Sequence, residues 1–191
     1  RPGPEPSGGW VVVATVRRNN AWVARWMHDD EVDGSESLVR SRLTAQMPTL
    51  AALPLLVAEP WGTDNAIWRL GEDLVVRLPR IGWAVGQVEF EACWLPVLAN
   101  HRPVPIPEPV GVRDPGSGYP YRWAVHRWLP GEGAAPELLD DPVAFALEFA
   151  DLVRKLQAVS TVGAPLANNR ARPLIDYNAS TRLSINQAAH L

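Results

Sequence analysis

The stretch "NAIWRLGEDLVVRLPR", Asn65–Arg80, decides the fold. Gly71-Glu72-Asp73 has the chemistry of a tight turn, and apolar-rich runs flank it. Ala66–Leu70 and Leu74–Leu78 therefore read as two antiparallel strands. Side chains alternate along a strand, so Leu74, Val76 and Leu78 share one face and Val75 and Arg77 share the other. The first face is wholly apolar and belongs on a core. The second carries a guanidinium in the middle of an apolar run, which is costly unless something pairs with it.

Reading outward extends the pattern. Leu53–Glu59 is a third strand, joined to Ala66–Leu70 through Gly62-Thr63-Asp64-Asn65. The segment before it, Ser35–Met47, has a capping serine, apolar residues near helical spacing and a closing Pro48. Trp83–Asn100 reads as a second helix, weakened by Gly86 and interrupted or kinked at Pro96. A proline-rich connection runs to a short strand near Val110, and Tyr121–Arg127 forms another, stopped by Pro130-Gly131. Asp140–Val159 is the best helix, with Phe145, Phe149, Leu152, Val153 and Leu156 in one stripe. Leu174–Leu191 is a moderate one. The order predicts an α+β fold: a five-stranded antiparallel sheet with one inserted helix, as in the small lobe of a kinase-like protein, followed by helices of an incomplete large lobe.

Composition narrows the function classes. The chain has 191 residues, 47% apolar and 20% charged, enough to bury a core. A net charge of −3 argues against a dedicated nucleic-acid binder. Its one cysteine, Cys93, excludes an internal disulfide and fits a cytoplasmic location. No apolar run approaches the roughly 18 residues of a membrane span. Of 18 basic residues only Lys155 is a lysine, so arginine is expected where a mechanism usually calls for lysine. Residues 1–26 carry four Arg and one Glu and interleave Arg with Trp from Arg17 to Trp26. They read as an extension outside the fold, ahead of a start at Met27; the alternative is an arm that touches nucleic acid.

The second helix answers the cation. Val85, Val88, Ala92, Leu95 and Leu98 form its apolar stripe, and Glu91 lies three after Val88 and four before Leu95, on the same face. A carboxylate there needs a partner, and the economical partner is Arg77. The competing reading is that each charge reaches solvent separately. Val75, two positions before Arg77, gives a surface on which an adenine can lie while the cation meets its phosphates.

Together "WGTDNAIWRLGEDLVVRLPR", "VEFEACWLP" and "WAVHRWLPGE" resemble the small lobe of the aminoglycoside phosphotransferase family, kinase-like enzymes, over roughly Glu31–Val159. The resemblance implies an ATP- or GTP-dependent phosphotransferase, with Mg2+, acting on a small-molecule hydroxyl of an aminoglycoside-like antibiotic or a metabolite. It implies that Gly62, Thr63, Asp64 and Asn65 form the turn over the nucleotide phosphates. It places Arg77 where kinases use a strand lysine, and Glu91 where they use its helix glutamate. Arginine keeps the charge but replaces a point with a fork. It makes the carbonyl of Arg127 and the amide of Leu129 the hinge groups for the adenine edge, with His126 at the gate of the pocket.

The same resemblance sets a limit. The family's H-G-D-x-x-x-x-N loop, and the later aspartate that binds magnesium, have no counterpart in this sequence. No catalytic or metal-binding residue is therefore assigned, and the chain as given is expected to be inactive. The expected division is an extension over 1–26, small lobe and hinge over 27–131, and incomplete helical lobe over 132–191. The alternative function is a non-catalytic nucleotide-binding or protein-interaction module, self-associating through the stripe of the Asp140–Val159 helix.

Overall fold

The computed structural model describes residues 15–16, 30–59, 62–101, 104–131, 139–164 and 173–188. The strands are β1 (Thr15–Val16), β2 (Leu55–Glu59), β3 (Asn65–Leu70), β4 (Leu74–Pro79), β5 (Pro109–Arg113) and β6 (Trp123–Arg127). The β3–β4 hairpin pairs Leu70 with Leu74 and Asn65 with Pro79. Its turn opens on Gly71 at φ 61°, a left-handed conformation that suits glycine. All neighbours are antiparallel, in the order β1-β2-β3-β4-β6-β5. Five of these strands are the expected ones. The sixth, β1, is a two-residue addition in which Thr15 pairs with Glu59 and Val16 with Ala58, so two residues of the 1–26 extension that was expected outside the fold join the sheet edge. The rest of the arginine–tryptophan segment, 17–26, lies outside the described residues.

The face assignment made from alternation holds along β4. Leu74, Val76 and Leu78 are buried, whereas Val75 and Arg77 are half-buried. The buried face meets α1 (Glu36–Gln46) through Val39 and Leu43, together with Leu55, Trp68, Leu70 and Val125 from the neighbouring strands. Two of the polar tips inside this core are paired. The Trp68 indole donates to the Gly34 carbonyl at 3.0 Å, and the Tyr119 hydroxyl donates to the Pro79 carbonyl at 2.6 Å. Ser35 caps α1 by accepting from the Leu38 amide at 3.4 Å.

The opposite face of the sheet carries the half-open residues, and α2 (Gln87–Ala99) follows β4. A helix starting at Trp83 was expected. Instead Gly82–Ala84 forms a single 3-10 turn, and the α-helix begins only after Gly86. Glycine is a poor helix former, which explains the late start. The helix then continues through Pro96.

Two compact units are present, Arg1–Val159 and Ser160–Leu191. In the first, α3 (Pro142–Gln157) is capped by the Asp141 carboxylate, which accepts from the amides of Val143 and Ala144 at 2.9 and 3.0 Å. Pro142 occupies the first helical position, where its missing N–H costs nothing. No residue of α3 is buried. In the second unit a 3-10 turn, Leu174–Tyr177, leads into α4 (Asn178–Ala188), where one continuous helix was expected. Among the described residues no helix is long and apolar enough to cross a membrane.

The two faces of β4 predict different mutational costs in urea unfolding. Leu78→Ala removes a fully buried side chain and should cost about 2–5 kcal/mol. Val75→Ala, on the half-open face, should cost roughly 1 kcal/mol. Equal costs would contradict the face assignment.

Candidate functional site

The half-open face of the sheet is built from three paired strands. Register aligns Ile67 with Arg77 and Arg69 with Val75 between β3 and β4. It aligns Val75 with His126 and Arg77 with Ala124 between β4 and β6. Cross-strand partners share a face, so Val75, Arg77 and His126 are neighbours by construction.

Arg77 is paired from α2. Its Nη1 donates to Glu91 Oε1, and its Nη2 donates to Gln87 Oε1 at 3.1 Å. Glu91 and Gln87 are one helical turn apart, so a single helix face presents two acceptors to the two arms of the guanidinium. The pair is neither buried nor free: 29% of the Arg77 side chain and 25% of Glu91 remain accessible. Part of the Arg77 side chain therefore remains accessible beside its two acceptors. Gln87 Oε1 also accepts from Asn65 Nδ2 at 3.4 Å, which ties the clamp to the end of the turn before β3.

That turn is tight. A Cβ on Gly62 would stand 2.6 Å from the Asn65 carbonyl oxygen, so only glycine fits there. Thr63 donates its hydroxyl to Asp64 Oδ1 at 2.8 Å. Just beyond β4, Arg80 is buried against Glu31, with which it forms an ion pair.

His126 completes the cluster. It is 3% exposed, and its Nε2 lies 3.9 Å from Glu91 Oε2. Burial first, and the Arg77 cation second, lower its pKa from 6.5 to about 4. The ring is therefore neutral at neutral pH, and its approach to Glu91 is proximity and not an ion pair.

The segment that the sequence reading takes as the hinge lies beside the other end of β4. Arg127 pairs across from Leu74, whereas the turn side is marked by Asn65 opposite Pro79. The amide of Arg127 donates to Glu108 O and that of Trp128 to Asp73 O, both at 2.8 Å. With those two donors committed, the next along the segment is the amide of Leu129, which is half-buried. Trp128 is held further by Arg69, whose guanidinium lies 4.7 Å from its ring centroid.

The structure thus links Arg77 and Glu91 directly and Asn65 to them through Gln87, with Gly62, Thr63 and Asp64 in the adjoining turn, and places Val75 toward the other end of β4, where Arg127 pairs with Leu74 and Leu129 follows β6. Sequence reading missed Gln87, Glu31 and Arg80. Gln87 was within reach of it, since it stands four residues before Glu91 on the same helix face. Among the described residues no three His, Cys, Asp or Glu side chains gather to hold a metal ion.

The neutral buried histidine gives stability a pH dependence. A folded-state pKa below the ordinary value means that protonation favours the unfolded chain. Its contribution is full above about pH 6.5 and lost progressively as pH falls toward 4, up to about 3 kcal/mol. His126→Gln should flatten urea-unfolding stability across that window; an unchanged pH profile would contradict the burial of a neutral ring.

The family model described as "Phosphotransferase enzyme family", APH, matches residues 57–185, a stretch that contains the clamp, the turn and the hinge segment. No curated protein matches the chain. Among solved structures, the GDP complex of a point mutant of aminoglycoside 2'-phosphotransferase-IIIa is similar at TM-score 0.61 and 20% identity, covering 71% of this chain and 47% of that one. The GDP and kanamycin complex of APH(2")-IIia is similar at TM-score 0.59 and 20% identity, covering 78% and 57%. The GDP complex of wild-type aminoglycoside 2'-phosphotransferase-IIIa gives 0.55 and 19%, covering 81% and 58%. The chain spans about half the length of these structures. With the family model matched over more than half of its residues, the chain belongs to the APH phosphotransferase enzyme family.

Proposed function

We propose that this chain carries the nucleotide-holding portion of a nucleotide-dependent phosphotransferase. The observation that carries the proposal is the clamp: Arg77, forked between Glu91 and Gln87, with part of its side chain open. A guanidinium fixed in this way offers a preset cation to a phosphate without first ordering a flexible side chain.

The layout of β4 supports the same reading. The strand rises about 3.4 Å per residue, so its ends at Leu74 and Pro79 stand roughly 17 Å apart. In this reading the hinge end, with the carbonyl of Arg127 and the amide of Leu129, takes the base. Val75 lies under it, Arg77 meets the phosphates, and Gly62-Thr63-Asp64-Asn65 covers them. ATP or GTP is the donor, and the similar structures that hold GDP support a purine nucleotide. The acceptor is a small-molecule hydroxyl, aminoglycoside-like or of another antibiotic or metabolite. The kanamycin in one similar structure supports that class. The proposed setting is the cytoplasm. The proposed division is extension 1–26, small lobe and hinge 27–131, and helical lobe 132–191.

Phosphoryl transfer also needs a base and charge-neutralising metal ions. The sequence contains no H-G-D-x-x-x-x-N run, and no step through a metal is assigned to these residues. The chain by itself is proposed to bind nucleotide weakly without transferring its phosphoryl group.

A second reading, a non-catalytic interaction module, draws on α3. Phe145 and Phe149 stack with centroids 6.2 Å apart, and Phe149 is 54% exposed. Concentration-dependent sedimentation would favour this reading, and a clean monomer at micromolar concentration would count against it.

The test of the first reading is titration of Mg·ATP and Mg·GDP against tryptophan emission. A saturable change in the millimolar range is expected for the unmodified chain, with its loss in Arg77→Ala. A flat response to both nucleotides, or saturation unaffected by Arg77→Ala, would overturn it.

A further inference from the structure

Arg80 directly follows β4, yet its situation differs from that of Arg77. It is 2% exposed, so it has no open side for a ligand. Its guanidinium pairs with Glu31 through Nη2 and donates from Nη1 to the Gly62 carbonyl at 3.3 Å. Its amide donates to the Asp64 carbonyl at 2.8 Å, and its own carbonyl accepts from the Val32 amide at 2.8 Å. One residue thus holds two carbonyls of the turn and the segment before α1.

The consequence follows from peptide geometry. In a planar trans peptide the carbonyl of one residue and the N–H of the next point in opposite directions. With the carbonyls of Gly62 and Asp64 drawn to Arg80, the N–H groups of Thr63 and Asn65 point away from it. The turn also folds closely at Gly62, where a Cβ would stand 2.6 Å from the Asn65 carbonyl oxygen. Burying two charges is expensive, and a buried ion pair is weak evidence for stability. The geometry it imposes on the turn is the better account of this pair, whose side chains are only 3% and 1% exposed.

We propose that Glu31 and Arg80 are positioning residues: their buried ion pair sets the conformation of the Gly62–Asn65 turn and couples it to the segment Glu31–Val32. This rests on the nucleotide reading only for its purpose, which is to aim the turn's amides at a phosphate. Neither residue touches the ligand.

The experiment is 15N relaxation on the full chain, unmodified and with Arg80→Lys or Glu31→Gln. Arg80→Lys keeps the charge and loses one arm of the fork; Glu31→Gln keeps the shape and serves if the first variant does not fold. In the unmodified chain Thr63 and Asp64 should show rigid order parameters, about 0.85, falling below about 0.6 in the variants while β4 and α2 stay rigid. The dissociation constant for Mg·GDP should rise on the order of tenfold. A turn unchanged in the variants, a turn already flexible without substitution, or a loss of order shared with β4 and α2 would overturn the proposal. Failure of the unmodified chain to bind Mg·GDP would overturn the nucleotide reading instead. The order parameters are measured without nucleotide and still decide the role of the pair.

Discussion

A guanidinium projecting from the middle of an antiparallel sheet is the constraint around which the site is arranged. Arg77 is flanked by apolar residues on β4 and half-covered by α2, so its charge needs acceptors within reach. Glu91 and Gln87 supply them from one helix face. The pairing fixes which face α2 turns to the sheet. It also links the helix to the turn before β3 through the shared Gln87 oxygen. It helps keep His126 neutral, since the Arg77 cation opposes a second positive charge. A pair of this exposure contributes modestly to stability. Its larger effect is geometric: a cation held in one orientation by two acceptors.

The two arginines at the end of β4 divide the work of the site. Arg77, on the half-open face, presents charge outward. Arg80, past the strand, turns inward and spends its donors on the backbone of the neighbouring turn and on Glu31. The apolar face of β4 belongs to Leu74, Val76 and Leu78, which anchor the strand against α1. Strand alternation therefore does more than build a core. It places Arg77 on the half-open face, and the buried face anchors the strand that carries it.

Alternation and helical spacing were legible in the sequence because both are local. The faces of β4, the hairpin at Gly71, the Ser35 cap and the candidate partner of Arg77 all follow from residues fewer than about twenty positions apart. What escaped is non-local or depends on exact geometry. Glu31 and Arg80 are 49 residues apart, and each alone looks like an ordinary surface charge. The 3-10 turn before α2 and the two-residue strand β1 lie below the length at which periodicity gives a signal. Gln87 was passed over because a neutral amide on a helix attracts no notice until its oxygen is seen accepting from both Arg77 and Asn65.

The account's central claim is that Arg77 and Glu91 act as one unit. The direct measurement is a double-mutant cycle with Arg77→Ala and Glu91→Ala in urea unfolding. The account predicts a coupling energy of at least about 1 kcal/mol, with the second substitution costing less once the first is present. Costs that add within about 0.5 kcal/mol would contradict it, because the two charges would then be holding their places independently.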